Sequence, residues 1–115
     1  MPGISIHVVD VSRGVVAVGM QVELRDADGR ILASDATNAK GLLEHPALAN
    51  TFGPGNYEAV FHVSAYYRRQ ADVPLPKVPF LDVVHYRFGI AEPQQHYHLP
   101  FKCTPWGYSC FRGGA

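Results

Sequence analysis

Charge is sparse in this sequence. Asp, Glu, Lys and Arg together make up 17% of the 115 residues, and ten basic side chains balance ten acidic ones. No segment gathers one sign, so the basic stripe that a phosphate backbone or an anionic membrane surface requires is missing. Neither nucleic acid nor membrane is expected as a partner. Long apolar runs are missing too; none approaches the ~20 residues of a spanning helix. The opening Met-Pro-Gly-Ile-Ser-Ile-His has neither the basic nor the apolar region of a secretory leader, and a cytoplasmic location is expected. Cysteine is scarce: Cys103 and Cys110 stand alone and are expected as free thiols in a reducing compartment. They are too few, at the wrong spacing, for a metal site. Repeats, linkers and low-complexity tracts are absent, and the length suits one domain, residues 1–115, around one core.

Apolar residues are plentiful, at 47%, which can supply that core. They recur with period two. Ile4, Ile6 and Val8 alternate with Ser5, His7 and Val9, and Val22 and Leu24 alternate with Gln21, Glu23 and Arg25. Asp26-Ala27-Asp28-Gly29 reads as a hairpin turn, with 31–36 as the returning strand. Further strands are predicted over 57–63, 80–88, 96–104 and 109–112, the last after a turn at Pro105-Trp106-Gly107. A short helix fits 64–71. Three prolines within 73–79 remove donors and fix φ, so that stretch is an extended connector. Seven or so short strands with Gly/Pro turns predict an all-β, two-sheet sandwich with one short helix.

Three blocks resemble the 5-hydroxyisourate hydrolases of the transthyretin-related family. They are Ile-Ser-Ile-His-Val-Val-Asp at 4–10, Thr37-Asn38-Ala39-Lys40-Gly41, and Tyr97-His98-Leu99-Pro100 followed by Thr104 to Gly114. The match runs the length of the chain in order. The resemblance implies a transthyretin-like sandwich of two four-stranded sheets. It implies a homotetramer, a dimer of dimers, with a site in the channel between dimers; a dimer is the alternative assembly. It also implies hydrolysis of a small-molecule substrate, 5-hydroxyisourate, in urate breakdown, without a cofactor. The transthyretins share the fold and carry small ligands instead.

The family's catalytic set is an N-terminal His, an Arg, a second His and a terminal Ser. His7 and His98 fall on the two histidines. Leu42 falls on the Arg position, and the terminal Y-R-G-S reads Phe111-Arg112-Gly113-Gly114, with Ala115 beyond it. Two imidazoles facing one cavity can perform a ring hydrolysis: one takes a proton from water while the other donates to the leaving nitrogen or polarises a carbonyl. Leu42, Lys102, Ser109, Phe111, Arg112 and Gly113 are the candidate substrate contacts. A leucine holds no anion and stabilises no developing negative charge, and losing one such contact typically costs ~10²–10³ in rate. That predicts weak turnover of 5-hydroxyisourate, and leaves open a family member retuned to another ring-opening, ring-closing or proton-transfer step. A non-catalytic small-ligand binder is the third reading.

Strand alternation puts His96, His98, Pro100 and Lys102 on one face. His96 and His98 could ligate a metal by spacing, but no third ligand is evident, and one solvent-facing and one pocket histidine is the expectation. Lys102 either reaches the channel mouth, loosens the tetramer by repulsion, or replaces the missing arginine. Arg112 either pins the chain end through a carboxylate or lines the pocket mouth. Ser109 and Cys110 read as structural strand residues. His45, His62 and His85 read as surface or satisfied core residues.

Overall fold

A computed structural model describes residues 2–114; Met1 and the extra terminal residue Ala115 lie outside them. The strands are β1 (Gly3–Asp10), β2 (Val15–Val16), β3 (Gln21–Asp26), β4 (Ile31–Ala36), β5 (Gly55–His62), β6 (Val83–Ile90), β7 (His96–Thr104) and β8 (Gly107–Cys110), with a helix α1 (Val63–Arg68) between β5 and β6. They form two four-stranded sheets, ordered β2-β1-β7-β8 and β4-β3-β5-β6. The expected all-β sandwich with one short helix is therefore what the chain adopts. Among the described residues no helix is long and apolar enough to cross a membrane.

The alternation in the sequence becomes the two faces of each sheet. Ile4, Ile6, Val8 and Asp10 of β1 turn inward, as do Tyr97, Leu99, Phe101 and Cys103 of β7. The facing sheet contributes Val22 and Leu24 from β3 and Ala59 and Phe61 from β5. The sheets meet where Phe61 stacks on Phe101, ring centroids 3.8 Å apart. Burying an aromatic or branched aliphatic side chain contributes about 1.5–3 kcal/mol.

β1 and β7 run parallel, in register from Gly3↔His96 to Asp10↔Cys103. At the end of that pairing sits Asp10, whose side chain is fully buried. Its carboxylate accepts from the Tyr67 and Ser12 hydroxyls at 2.7 Å each and from the Tyr66 hydroxyl at 3.0 Å, and Arg13 Nη1 lies 3.6 Å away. Burial, with the Asp10 carboxylate adding to it, pushes the Tyr66 hydroxyl up to about 12, so the tyrosine stays a donor at any physiological pH. This network ties α1 to the β1–β7 ladder.

Several boundaries differ from the sequence expectation. β2 was not predicted; its two residues pair with Val9 and Asp10 at the sheet edge. β6 begins at Val83 rather than 80 and runs on to Ile90, where Gly89 and Ile90 pair with Asn56 and Gly55. Asp82 is committed to the helix start instead: its carbonyl accepts from the Ser64 N–H at 3.0 Å and its carboxylate from the Ser64 hydroxyl at 2.6 Å. Phe80 is 81% exposed and has no core to join. Val63 belongs to α1 rather than to the preceding strand, and the helix ends at Arg68 rather than 71. β8 spans 107–110 rather than 109–112, because the turn needs only Pro105 and Trp106: Gly107 already pairs with Thr104. Both cysteines are free.

Replacing Asp10 with alanine removes the carboxylate to which two buried tyrosine hydroxyls donate. Asp10→Ala is expected to lower the unfolding free energy by about 3 kcal/mol, read as a reduced urea midpoint at fixed protein concentration. A loss under 1 kcal/mol would show that the network is incidental to stability.

Candidate functional site

The outward face of the β2-β1-β7-β8 sheet carries the polar residues of both central strands. The parallel register sets Ser5 opposite His98 and His7 opposite Pro100. His7 and His98 therefore share a face on adjacent strands, one strand apart and two residues out of step. Strand spacing and rise place their α-carbons roughly 8 Å apart, within the span of one small ring with its substituents.

Each histidine is held by a neighbour. The His7 Nε2–H donates to the Lys40 carbonyl at 3.0 Å. A carbonyl only accepts, so in the neutral ring the lone pair is on Nδ1. The turn that presents this carbonyl is closed by Asn38, whose side-chain oxygen accepts from the Lys40 and Leu42 N–H groups. Gly41 makes the approach feasible. Its φ is +76°, and a β-carbon there would lie 2.7 Å from the Val8 carbonyl oxygen and 3.4 Å from His7 Cδ2. His98 Nδ1 lies 2.6 Å from Ser5 Oγ, which also lies 2.8 Å from His96 Nε2. Burial holds the His98 imidazole below the ordinary histidine range, and His7 and His96 push it further down. His98 is thus neutral at pH 7, the form able to accept a proton.

Leu42 forms an isolated bridge with His7. With Ile6, Leu43, Leu48, Ser5 and His96 it lines an open groove of about 800 Å³, whose lining includes neither His7 nor His98. Gly113 closes the other flank: its N–H donates to the His98 carbonyl at 2.7 Å, and a β-carbon on it would come within 2.7 Å of His98 Cδ2. These contacts bring Leu42 and Gly113 to the histidine pair.

Lys102, Ser109 and Phe111 form a separate group. Lys102 is four residues beyond His98 on β7, about 13 Å along the strand. It pairs with Ser109 across β8, is exposed, and its Nζ lies 5.8 Å from the centre of the Phe111 ring. Arg112 pins the chain end, but not through a carboxylate: it donates to the Gln95 side-chain oxygen at 2.9 Å and to the His96 carbonyl at 3.3 Å, and stacks 4.0 Å from the Tyr97 ring. Burial pushes the Cys110 thiol up to about 12, so it is no nucleophile at neutral pH. Among the described residues, no three His, Cys, Asp or Glu side chains converge as a metal site would require.

His45 caps the 3₁₀ turn Pro46–Ala49, His62 bonds Glu23 at 2.7 Å, and His85 bonds Glu58 at 3.0 Å. These three are satisfied locally, as their lack of a motif suggested. His96 departs from expectation. It is a direct neighbour of the site through Ser5, not a merely solvent-facing residue. The alternation of β1 already put Ser5 on the His7 face, but only the β1–β7 register reveals that it stands between two imidazoles.

Comparison with known proteins agrees with this architecture. Residues 4–113 match the HIUase/Transthyretin family. Over 111 residues the chain is 39% identical to 5-hydroxyisourate hydrolase 2 of Rhizobium meliloti, spanning 93% of this chain and 92% of that one. Its fold superposes on the 5-hydroxyisourate hydrolase of Klebsiella pneumoniae with a TM-score of 0.83 at 31% identity, over 99% of this chain and 100% of that one. A crystal structure of (S)-allantoin synthase gives a TM-score of 0.87 at 32% identity over 97% of this chain, which corresponds to 43% of that longer chain. The chain belongs to the HIUase/Transthyretin family.

Proposed function

We propose that this protein hydrolyses 5-hydroxyisourate or a closely related small cyclic ureide, with His7 and His98 as its acid–base pair. The observation that carries the reading is the pairing of β1 with β7, which sets the two imidazoles on one face with defined partners. His98, kept neutral by burial, takes the proton from a water attacking the ring carbonyl. His7, its Nε2–H engaged by Lys40, presents Nδ1, which in the protonated ring donates to the leaving nitrogen. The scissile bond is the cyclic C–N bond, the attacking oxygen comes from water, and both protons are accounted for on the two rings. No cofactor has a role in this chemistry.

The histidine face of a single protomer is open to water. Its closure in a channel between two dimers, as the family resemblance implies, would exclude bulk solvent and strengthen every polar contact in the site. In that assembly Lys102, Ser109 and Phe111, remote from His98 within one chain, are candidates for the channel wall. There Lys102 would supply the cation that Leu42 does not.

A specific observation favours a second reading. Leu42 faces an apolar groove where the family resemblance calls for a guanidinium, and Gly114 stands in place of the terminal serine. Such a site suits a less anionic ring, and so a related ring-opening, ring-closing or proton-transfer step. Simple ligand binding without turnover is the remaining outcome.

Freshly generated 5-hydroxyisourate, followed by its ultraviolet absorbance, is expected to decay faster with catalytic amounts of protein than without it. His7→Asn and His98→Asn should each reduce that rate by about 10²-fold or more. Wild-type turnover in both variants would overturn the two-histidine mechanism. Leu42→Arg combined with Gly114→Ser is expected to raise turnover of 5-hydroxyisourate by about 10-fold or more. No gain, with the fold intact, would count against 5-hydroxyisourate as the native substrate.

A further inference from the structure

The Ser5 hydroxyl touches two imidazoles at once, His98 Nδ1 at 2.6 Å and His96 Nε2 at 2.8 Å. A hydroxyl has one proton. It donates to one ring and accepts from the other, so two ordered arrangements satisfy both contacts with neutral rings. In the first, the His98 Nδ1–H donates to Ser5 Oγ and the Ser5 hydroxyl donates to His96 Nε2. Both rings then carry their proton on Nδ1, and His98 Nε2 is a free base. In the second, the His96 Nε2–H donates to Ser5 Oγ and the Ser5 hydroxyl donates to His98 Nδ1. Both rings then carry their proton on Nε2, and His98 Nε2–H is a donor.

We infer that Ser5 and His96 form a proton relay that sets the tautomer of His98 and stores the proton it collects. The inference deepens the two-histidine reading and rests on it. In the first arrangement His98 Nε2 takes a proton from the attacking water and becomes an imidazolium. Its Nδ1 proton passes to Ser5 Oγ while the Ser5 hydroxyl proton passes to His96 Nε2. His98 is then neutral with its proton on Nε2, Ser5 is again a hydroxyl, and the positive charge is on His96. Once His7 has protonated the leaving nitrogen, His98 gives its Nε2 proton through solvent to His7 Nδ1 while His96 returns its Nε2 proton through Ser5 to His98 Nδ1, and the starting arrangement is restored.

The surroundings suit the two ends of this relay. His98 lies between Ser5 and the packed Gly113, where a lasting positive charge beside His7 is costly. His96 lines the open groove, where water can solvate the charge. Arg112 holds the His96 backbone carbonyl at 3.3 Å. Ser5 and His96 are positioning residues, acting through His98 rather than on the substrate.

Long-range proton–nitrogen correlation spectra of the imidazoles in the whole protein at pH 8 test this directly. In the wild type, His96 and His98 are both expected to carry the proton on Nδ1. Ser5→Ala should uncouple them and shift His98 to the tautomer mixture of a free imidazole, with His7 unchanged. Ser5→Thr keeps the hydroxyl and should keep the coupling, which separates the hydroxyl's effect from any disturbance of β1. With 5-hydroxyisourate, Ser5→Ala and His96→Asn should each lower kcat by roughly 10- to 100-fold with KM little changed. Coupled tautomers that disappear in Ser5→Ala support the relay even if 5-hydroxyisourate is not the substrate. Identical His98 signals in wild type and Ser5→Ala overturn it. So does an undiminished kcat in Ser5→Ala when His98→Asn is inactive, an outcome that leaves the two-histidine mechanism standing.

Discussion

The parallel pairing of β1 with β7 is the constraint on which the rest of the structure depends. It joins the beginning of the chain to its end: the Ser5–His98 contact spans 93 positions. Closing so long a loop has an entropic cost that local contacts cannot repay. The offset comes from the inward residues of the same two strands, Ile4, Ile6, Val8, Leu99 and Phe101, all buried against the opposite sheet. Because side chains alternate, the same register that buries those residues places Ser5, His7 and His98 together on the other face. A slip of one residue would send the histidines into the core.

The two ends of this ladder solve different polar problems. At Asp10 a carboxylate is taken out of water altogether and survives because two tyrosines, a serine and an arginine surround it. At His98 the desolvation is partial, and its consequence is chemical rather than structural: the ring stays neutral. The first site locks the helix to the sheet and the second holds an imidazole in its neutral form. They lie on opposite faces, so the stabilising network and the histidine cluster share a backbone without sharing side chains.

The chemistry of the site is defined by subtraction as much as by presence. Leu42 occupies the turn that brings the Lys40 carbonyl to His7, so the turn still orients the histidine although its side chain offers no cation. Gly113 is constrained differently. His98 and Pro100 leave no room for a β-carbon there, which keeps the terminal segment pressed on the ring. Arg112, between them in interest, is committed to Gln95, His96 and Tyr97 and anchors the segment that presents Gly113.

Much of this was legible in the chain itself. Period-two alternation gave the inward and outward sets of β1 and β7, the Asp-Gly turn located the β3–β4 hairpin, and the prolines of 73–79 marked the connector, because each is a local consequence of backbone geometry. His7 and His98 stood out through the blocks around them. Other features were not legible. Val15 and Val16 become a strand only because an edge of β1 awaits a partner. The residues at 80–82 leave β6 because Asp82 finds Ser64. Ser5 and His96 gain significance only once the register is known. Sequence by itself determined which residues face in or out along each strand, since that follows from the bond geometry of neighbouring residues. Which strands lie side by side, and in what register, was decided only by the tertiary structure, because that choice rests on the burial and packing of groups that are far apart along the chain.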